Sequence, residues 1–323
     1  MFGLAYGDAL GKETEFAPYR VIVGRYGPGG PMELTGDPAL VTDDTQMTLA
    51  VGWALRDVEA LTPAALAAAL RERFVSWSRS PDNNRAPGIT CMTACRSLAA
   101  GVPWTRATVV TSKGCGANMR VVPVGLLSGL DLDTLAGIAQ MQAAMTHGHP
   151  TGLAAAELTA YAVRMLRDGA ALGELPALLR QRCASQLTTY REDWLGDLWR
   201  RARAASPADY IAAGWHECDQ ALRRLEEAVA SVGDLTDPCV ATGAGWIAEE
   251  ALATGLYCAI VLSHVPVAAL GWAASGSGDS DSIASIAGAL LGAQHGQSAW
   301  PEGWAARIEY ADQLAALGKG WDS

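Results

Sequence analysis

An all-α fold is what this sequence predicts, on two observations. Apolar residues recur at helical spacing along most of the chain, as in Ile283, Ile286, Ala287, Leu290 and Leu291, which fall at i, i+3, i+4, i+7 and i+8. No segment sustains the period-two alternation of a half-buried strand, and Ala107–Thr111 and Val121–Val124 are the only strand-like fragments. A third observation sets the domain count. Pro207 and Asp237-Pro238 mark loops, but neither has the composition of an interdomain linker, so residues 1–323 are expected to form one domain.

Residues 1–15 read as a helix whose Gly3, Gly7 and Gly11 stand four apart, leaving a face that another helix can approach closely. Residues 16–40 carry Pro18, Gly24, Gly27, Pro28, Gly29, Gly30, Pro31, Gly36 and Pro38 and read as a long loop. Loops of that length inside a compact domain are commonly lids, and this one follows Glu15. Thr42-Asp43-Asp44-Thr45 opens a helical run through Met47, Leu49, Ala50, Trp53 and Ala54. Residues 63–79 form a helix with Pro63 in its first turn. Pro81 to Gly88 is a polar turn, and Thr90–Ala100 a helix stopped by Gly101 and Pro103. Helical patterns then continue through 131–145, 152–168, 171–187, 208–230, 244–263 and 283–294.

Chemistry concentrates at helix starts. Gly276-Ser277-Gly278-Asp279-Ser280-Asp281-Ser282 packs two carboxylates and three hydroxyls into a flexible turn ahead of a helix. Oxygen donors at this density suit Mg²⁺, Mn²⁺ or Ca²⁺ rather than zinc. An EF-hand is excluded, because counting from Asp279 puts Ala284 where that loop needs Gly and Leu290 where it needs Glu. Asp43 and Asp44 repel each other and call for a cation or the positive end of a helix dipole. An ordinary Ser/Asp or Thr/Asp helix cap accounts equally for either stretch taken alone. Lys113-Gly114-Cys115-Gly116 leads toward Arg120 and offers unobstructed N–H groups of the kind that suit a diphosphate.

Composition bounds the rest. A net charge of −10 and pI near 5.0 argue against a nucleic-acid surface. Seven cysteines, an odd number without a CxxC pair, suit reduced thiols in a cytoplasmic protein. No signal peptide precedes Asp8, and apolar stretches such as Ala251–Leu262 are too short or interrupted to span a membrane. His147 and His149 lack the third ligand of a zinc set, so His149 is expected to cap or orient its loop. Trp272, Trp300 and Trp304 flank the last motif and are candidates for an aromatic pocket wall.

Taken together, the motifs resemble the ADP-ribosylglycohydrolases, of the dinitrogenase-reductase-activating type. The likeness rests on Gly7-Asp8-Ala9-Leu10-Gly11 with Glu15, on Thr42-Asp43-Asp44-Thr45, and on Gly114-Cys115-Gly116 running into Met119-Arg120 and Pro123. Thr146-His147-Gly148-His149-Pro150 and Gly278-Asp279-Ser280-Asp281-Ser282 complete it. Asn118 departs from the family pattern, and Ser280 and Ser282 stand where many members have Thr.

The resemblance implies a compact multi-helix orthogonal bundle with a central metal cleft. It makes Thr42, Asp43, Asp44, Asp279, Asp281 and Ser282 ligands of two divalent cations, Mg²⁺ or Mn²⁺, with Asp281 as the bridging carboxylate. Gly114, Cys115, Gly116, His147, Ser277 and Gly278 would then contact the substrate, an ADP-ribosylated protein or small ADP-ribosyl compound. The implied reaction is hydrolysis of the bond from ADP-ribose to a modified side chain. Asp43 or Glu15 would take the proton of the attacking water, with Glu15 beside the ligands rather than among them. Arginine is favoured over serine as the linkage, because a protonated guanidine leaves without a positioned acid. A two-metal phosphohydrolase and a catalytically silent ADP-ribose-binding relative are the rival readings.

Overall fold

The computed structural model describes residues 1–319 and Trp321. Nineteen α-helices and three short 3-10 turns carry the described chain, with isolated β-bridges in place of a sheet. The helix Phe2–Gly11 and the helix Ser280–His295 pack along each other at the centre. A Cβ added at Gly7 would lie 1.9 Å from the Ala284 carbonyl oxygen, so only glycine admits this approach. The expected use of the four-residue glycine spacing is therefore the observed one. It sets the two ends of the chain side by side, with Asp8 near the turn that carries Asp281.

Around this pair stand the helices Asp43–Asp57, Pro150–Arg167, Pro207–Ala230 and Ala248–Val261. Their inward faces, with Met47, Leu158, Trp215 and Leu256, join Ile286 of the central pair in one continuous core. Sequence signals account for several boundaries. Thr62 and Ser206 cap their helices through side-chain oxygens, and each is followed by proline in the first turn. His149 caps the helix Pro150–Arg167, its Nδ1 accepting from the Thr151 N–H at 3.3 Å. The capping role expected for His149 is the one it has.

Three expectations are corrected. The segment 16–40 is not loop throughout, since Tyr19–Tyr26 is helical. It buries only Ile22, so no apolar stripe announces it. Val122–Leu126 is a short helix despite its β-branched run, because Val122 and Val124 are buried against other helices. The fragment 107–111 follows the short helix Trp104–Ala107 and contributes a single bridge, Val109 to His147. No helix among the described residues is long and apolar enough to cross a membrane.

Candidate active site

Three chain segments build an acidic wall. Thr42 caps the helix Asp43–Asp57, accepting the Asp44 N–H at 3.2 Å and setting Asp43 and Asp44 in its first turn. Asp8 fixes that turn from the neighbouring helix, accepting from Thr42 N–H at 2.9 Å and Thr45 N–H at 3.0 Å. On the other side, Ser280 Oγ donates to the Gly11 carbonyl at 3.0 Å and lies 3.0 Å from Thr14 Oγ1. This ties the turn carrying Asp279 and Asp281 to the end of the first helix. Glu15, Asp279 and Asp281 consequently each offer an oxygen within 4.8 Å of the others. Glu15, set apart from the ligands by sequence reasoning, stands in the same carboxylate group.

The electrostatics of this wall are unbalanced. Among the described residues, none of Glu15, Asp43, Asp44, Asp279 and Asp281 forms an ion pair with a basic side chain. Burial and the Asp281 charge push Asp43 up to about 8. Burial, then the charges of Asp281, Asp43 and Asp8, raises Glu15 to about 9. Asp44 and Asp279 are raised well above the carboxylate range by burial and the Asp281 charge. Asp44 Oδ1 is buried and has no hydrogen-bond partner. Such an oxygen costs free energy unless something completes it, and a hard dication would do so for the whole cluster.

The wall lines a cavity of about 350 Å³, faced by Gly114, Cys115, Gly116 and His147. Cys115 Sγ donates to Asp279 Oδ2 at 2.9 Å and lies 3.1 Å from Ser282 Oγ, joining the glycine loop to the acidic turn. The loop is held from behind: Cys115 N–H donates to the Trp246 carbonyl at 3.1 Å, and Lys113 Nζ sits 2.7 Å from both Glu217 and Glu249. At the mouth the exposed rings of Phe16 and Trp246 stack with centroids 5.7 Å apart and planes 18° apart.

The structure thus brings Glu15, Asp43, Asp44, Gly114, Cys115, Gly116, His147, Asp279, Asp281 and Ser282 to one cavity. Thr42, Ser277 and Gly278 do not line it. The Thr42 hydroxyl is engaged as a cap, and Ser277 is exposed, with its N–H donating to Asp237. Gly278 packs beneath the turn, where a Cβ would lie 1.8 Å from the Ala244 carbonyl oxygen. Trp272, Trp300 and Trp304 are corrected as pocket candidates. Trp300 and Trp304 pack edge-on against Tyr6, and Trp272 Nε1 donates to the Thr236 carbonyl. Trp246, which nothing in its local sequence distinguishes, is the tryptophan at the cavity. Asp8 was missed as a site-building residue, although its place within Gly7-Asp8-Ala9-Leu10-Gly11, beside the helix contact, was the available signal.

Residues 1–321 match the family described as ADP-ribosylglycohydrolase. The chain belongs to that family. Membership supports a glycosyl-hydrolase activity of the ADP-ribose-removing kind. It is 26% identical to the ADP-ribosylhydrolase ARH3 of Mus musculus, over 90% of this chain and 79% of that protein. It is 33% identical to the ADP-ribosyl-[dinitrogen reductase] glycohydrolase of Rhodospirillum rubrum, over 47% of this chain and 51% of that one. A solved ADP-ribosylglycohydrolase-related protein complex superposes with a TM-score of 0.67, covering 98% of this chain and 93% of its counterpart at 24% identity, a likeness of fold.

Proposed function

We propose that this ADP-ribosylglycohydrolase-family protein is a divalent-cation-dependent hydrolase that removes ADP-ribose from arginine side chains. The observation that carries the metal half is Asp44 Oδ1, a buried carboxylate oxygen without a partner in a cluster without a basic counter-charge. Asp43, Asp44, Asp279, Asp281 and Ser282 would hold the ions, with Glu15 close enough to share a ligand position. Thr42 would contribute by setting the Asp43–Asp44 turn, its hydroxyl being the other oxygen available there. Mg²⁺ or Mn²⁺, when bound, would orient the ribose hydroxyls and lower the pKa of a water.

The chain's own residues do the remaining work. Cleavage at the anomeric carbon develops oxocarbenium character, and a wall of carboxylates favours positive charge beside it. Asp43 or Glu15, both lining the cavity and ionised once a dication offsets the repulsion among the carboxylates, would take a proton from water. Gly114, Cys115 and Gly116 leave space against the backbone for a diphosphate. Among the described residues, the cavity's carboxyl groups are the proposed ligands and Glu15; with Glu15 assigned to the attacking water, no separate acid is left for a departing serine alkoxide, which favours the guanidine as leaving group.

Hydrolysis of matched arginine- and serine-ADP-ribosylated peptides tests this, with free ADP-ribose as readout. Arginine-linked substrate should turn over faster, chelation should abolish turnover, and Mg²⁺ or Mn²⁺ should restore it. Turnover unchanged by chelation would remove the metal half, and equal rates would remove the linkage half.

A further inference from the structure

His147 lines the cavity beside the glycine loop, and its hydrogen bonds have a direction that can be worked out. Arg120 is fully buried, with its guanidinium 4.3 Å from the Phe74 ring centroid. Its Nε donates to Gln142 Oε1 at 2.9 Å, and its Nη2 donates to the Gln142 carbonyl and to Thr146 Oγ1, each at 2.8 Å. A guanidinium has protons to give and no acceptor, so Thr146 Oγ1 is the acceptor in that contact. The same oxygen lies 2.8 Å from His147 Nδ1. Among the described residues the Thr146 hydroxyl proton has no other acceptor, so it goes to Nδ1. In a neutral imidazole, an Nδ1 that accepts requires the proton to sit on Nε2.

We infer that Arg120 and Thr146 lock His147 in its Nε2–H tautomer, making it a fixed neutral donor to an acceptor oxygen of the bound ADP-ribosyl group. The free edge of the ring points the right way. Nε2 approaches Gly114 and Gly116 so closely that a Cβ at either would come within 3.5 Å or 3.4 Å of it. No protein atom among the described residues accepts from Nε2, and His147 lines the cavity. Burial, reinforced by the Arg120 charge, brings the imidazole down to about 3, so it stays neutral through the physiological range. His147 therefore supplies a hydrogen bond and no proton. Arg120 and Thr146 act through it as positioning residues, and neither touches the ligand.

Nitrogen-15 NMR of histidine-labelled full-length protein reads the tautomer directly, with His147→Ala used to assign the signal. The free wild-type protein should show protonation at Nε2 alone across pH 6–8, and protonation at Nδ1 would overturn the inference. Thr146→Val removes the hydroxyl and should erase the tautomer preference, while Thr146→Ser should restore it. Titration with ADP-ribose and with ADP reads the consequence, since loss of one neutral hydrogen bond corresponds to about tenfold weaker binding. An equal loss for both ligands in Thr146→Val assigns the acceptor to the diphosphate, and a loss for ADP-ribose alone assigns it to the distal ribose. Wild-type affinity of Thr146→Val for both would overturn the donor role. The ligand half rests on the proposed function, but the tautomer is measured without ligand, so the two fail separately.

Discussion

Glu157 and Asp44 are both carboxylates removed from water, and the protein treats them in opposite ways. Glu157 accepts from Arg182 at 2.8 Å and Gln140 at 2.7 Å, with Arg191 at 3.4 Å. Arg191 extends that knot outward to Asp133 and Gln186. At Asp44 one oxygen has no partner, and the carboxylates beside it add repulsion. Among the described residues, the non-glycine positions with left-handed backbone are Phe16, Ala86, Arg203 and Tyr310; the first two line the cavity and none lies in the knot. The knot is closed by protein alone and supports the fold. The cleft is left incomplete, with negative charge and strain that the packing of the helices does not need.

The largest expected effect breaks the knot. Glu157→Ala leaves Arg191 and Arg182 buried without their shared partner, a change that costs about 3–5 kcal/mol of stability. Asp44→Asn in metal-free protein replaces a carboxyl whose ionisation burial and its neighbours oppose, so its stability should equal or exceed that of the wild type. Urea denaturation of the two variants measures both, and similar losses would erase the distinction.

Turnover should show the reverse pattern. Outer-shell partners of metal ligands typically cost 10–100-fold when removed, so Asp281→Asn, at a proposed ligand itself, should lose more than about 100-fold in kcat/KM. Wild-type protein with Mg²⁺ or Mn²⁺ at 100 times Kd should gain about 2.7 kcal/mol of stability, and Asp281→Asn should gain much less. Equal cation-induced shifts in melting temperature would place the ions elsewhere.

The metal-free protein should also show a pH dependence. Asp8, Asp43 and Glu15 have folded-state values raised to about 7, 8 and 9, respectively. Between the ordinary carboxylate range and those values, the folded state binds more protons than the unfolded state, so stability falls as pH rises. The contribution is complete below about pH 4 and is lost as pH climbs through about 7 to 9. Saturating divalent cation favours the ionised carboxylates and should flatten or reverse the trend. Denaturation midpoints at pH 5.5 and 8.5, with and without cation, check the sign.

Legibility in the sequence followed the range of the interaction. The glycine spacing at Gly3, Gly7 and Gly11, the polar start at Thr42, the first-turn Pro63 and the loop residue His149 are local signals, and the helix contact and helix starts were readable from them. Asp43–Asp44 and Asp279–Asp281 stood out because adjacent carboxylates are conspicuous in any register. Their meeting was not readable from either stretch, because it depends on Asp8 and on the Thr14–Ser280 contact across the molecule. Trp246 reaches the cavity only because the chain from Ala244 to Ile247 crosses the Ser280–His295 turn and the glycine loop. The helix Tyr19–Tyr26 lacked an apolar stripe, and Val122–Leu126 took its form from the burial of its valines among other helices.

The smallest effect concerns Phe16, where the strained side of the comparison can be isolated from its chemistry. Its φ of 65° is left-handed, and its ring is 68% exposed and stacked on Trp246. A left-handed backbone costs an ordinary L-residue about 1–2 kcal/mol. Phe16→Ala keeps that cost and loses the ring pair, whose aromatic contact is worth about 0.5–1.5 kcal/mol. Phe16→Gly loses the same contact but releases the backbone, against an unfolded-chain entropy penalty of about 0.5–1 kcal/mol. The Ala variant should therefore be about 1 kcal/mol less stable than wild type, and the Gly variant should recover roughly half or more of that loss. Denaturant midpoints for the pair read the difference free of any catalytic effect. A Gly variant no more stable than the Ala variant would mean that the segment carrying Glu15 over the cleft rests without strain at Phe16.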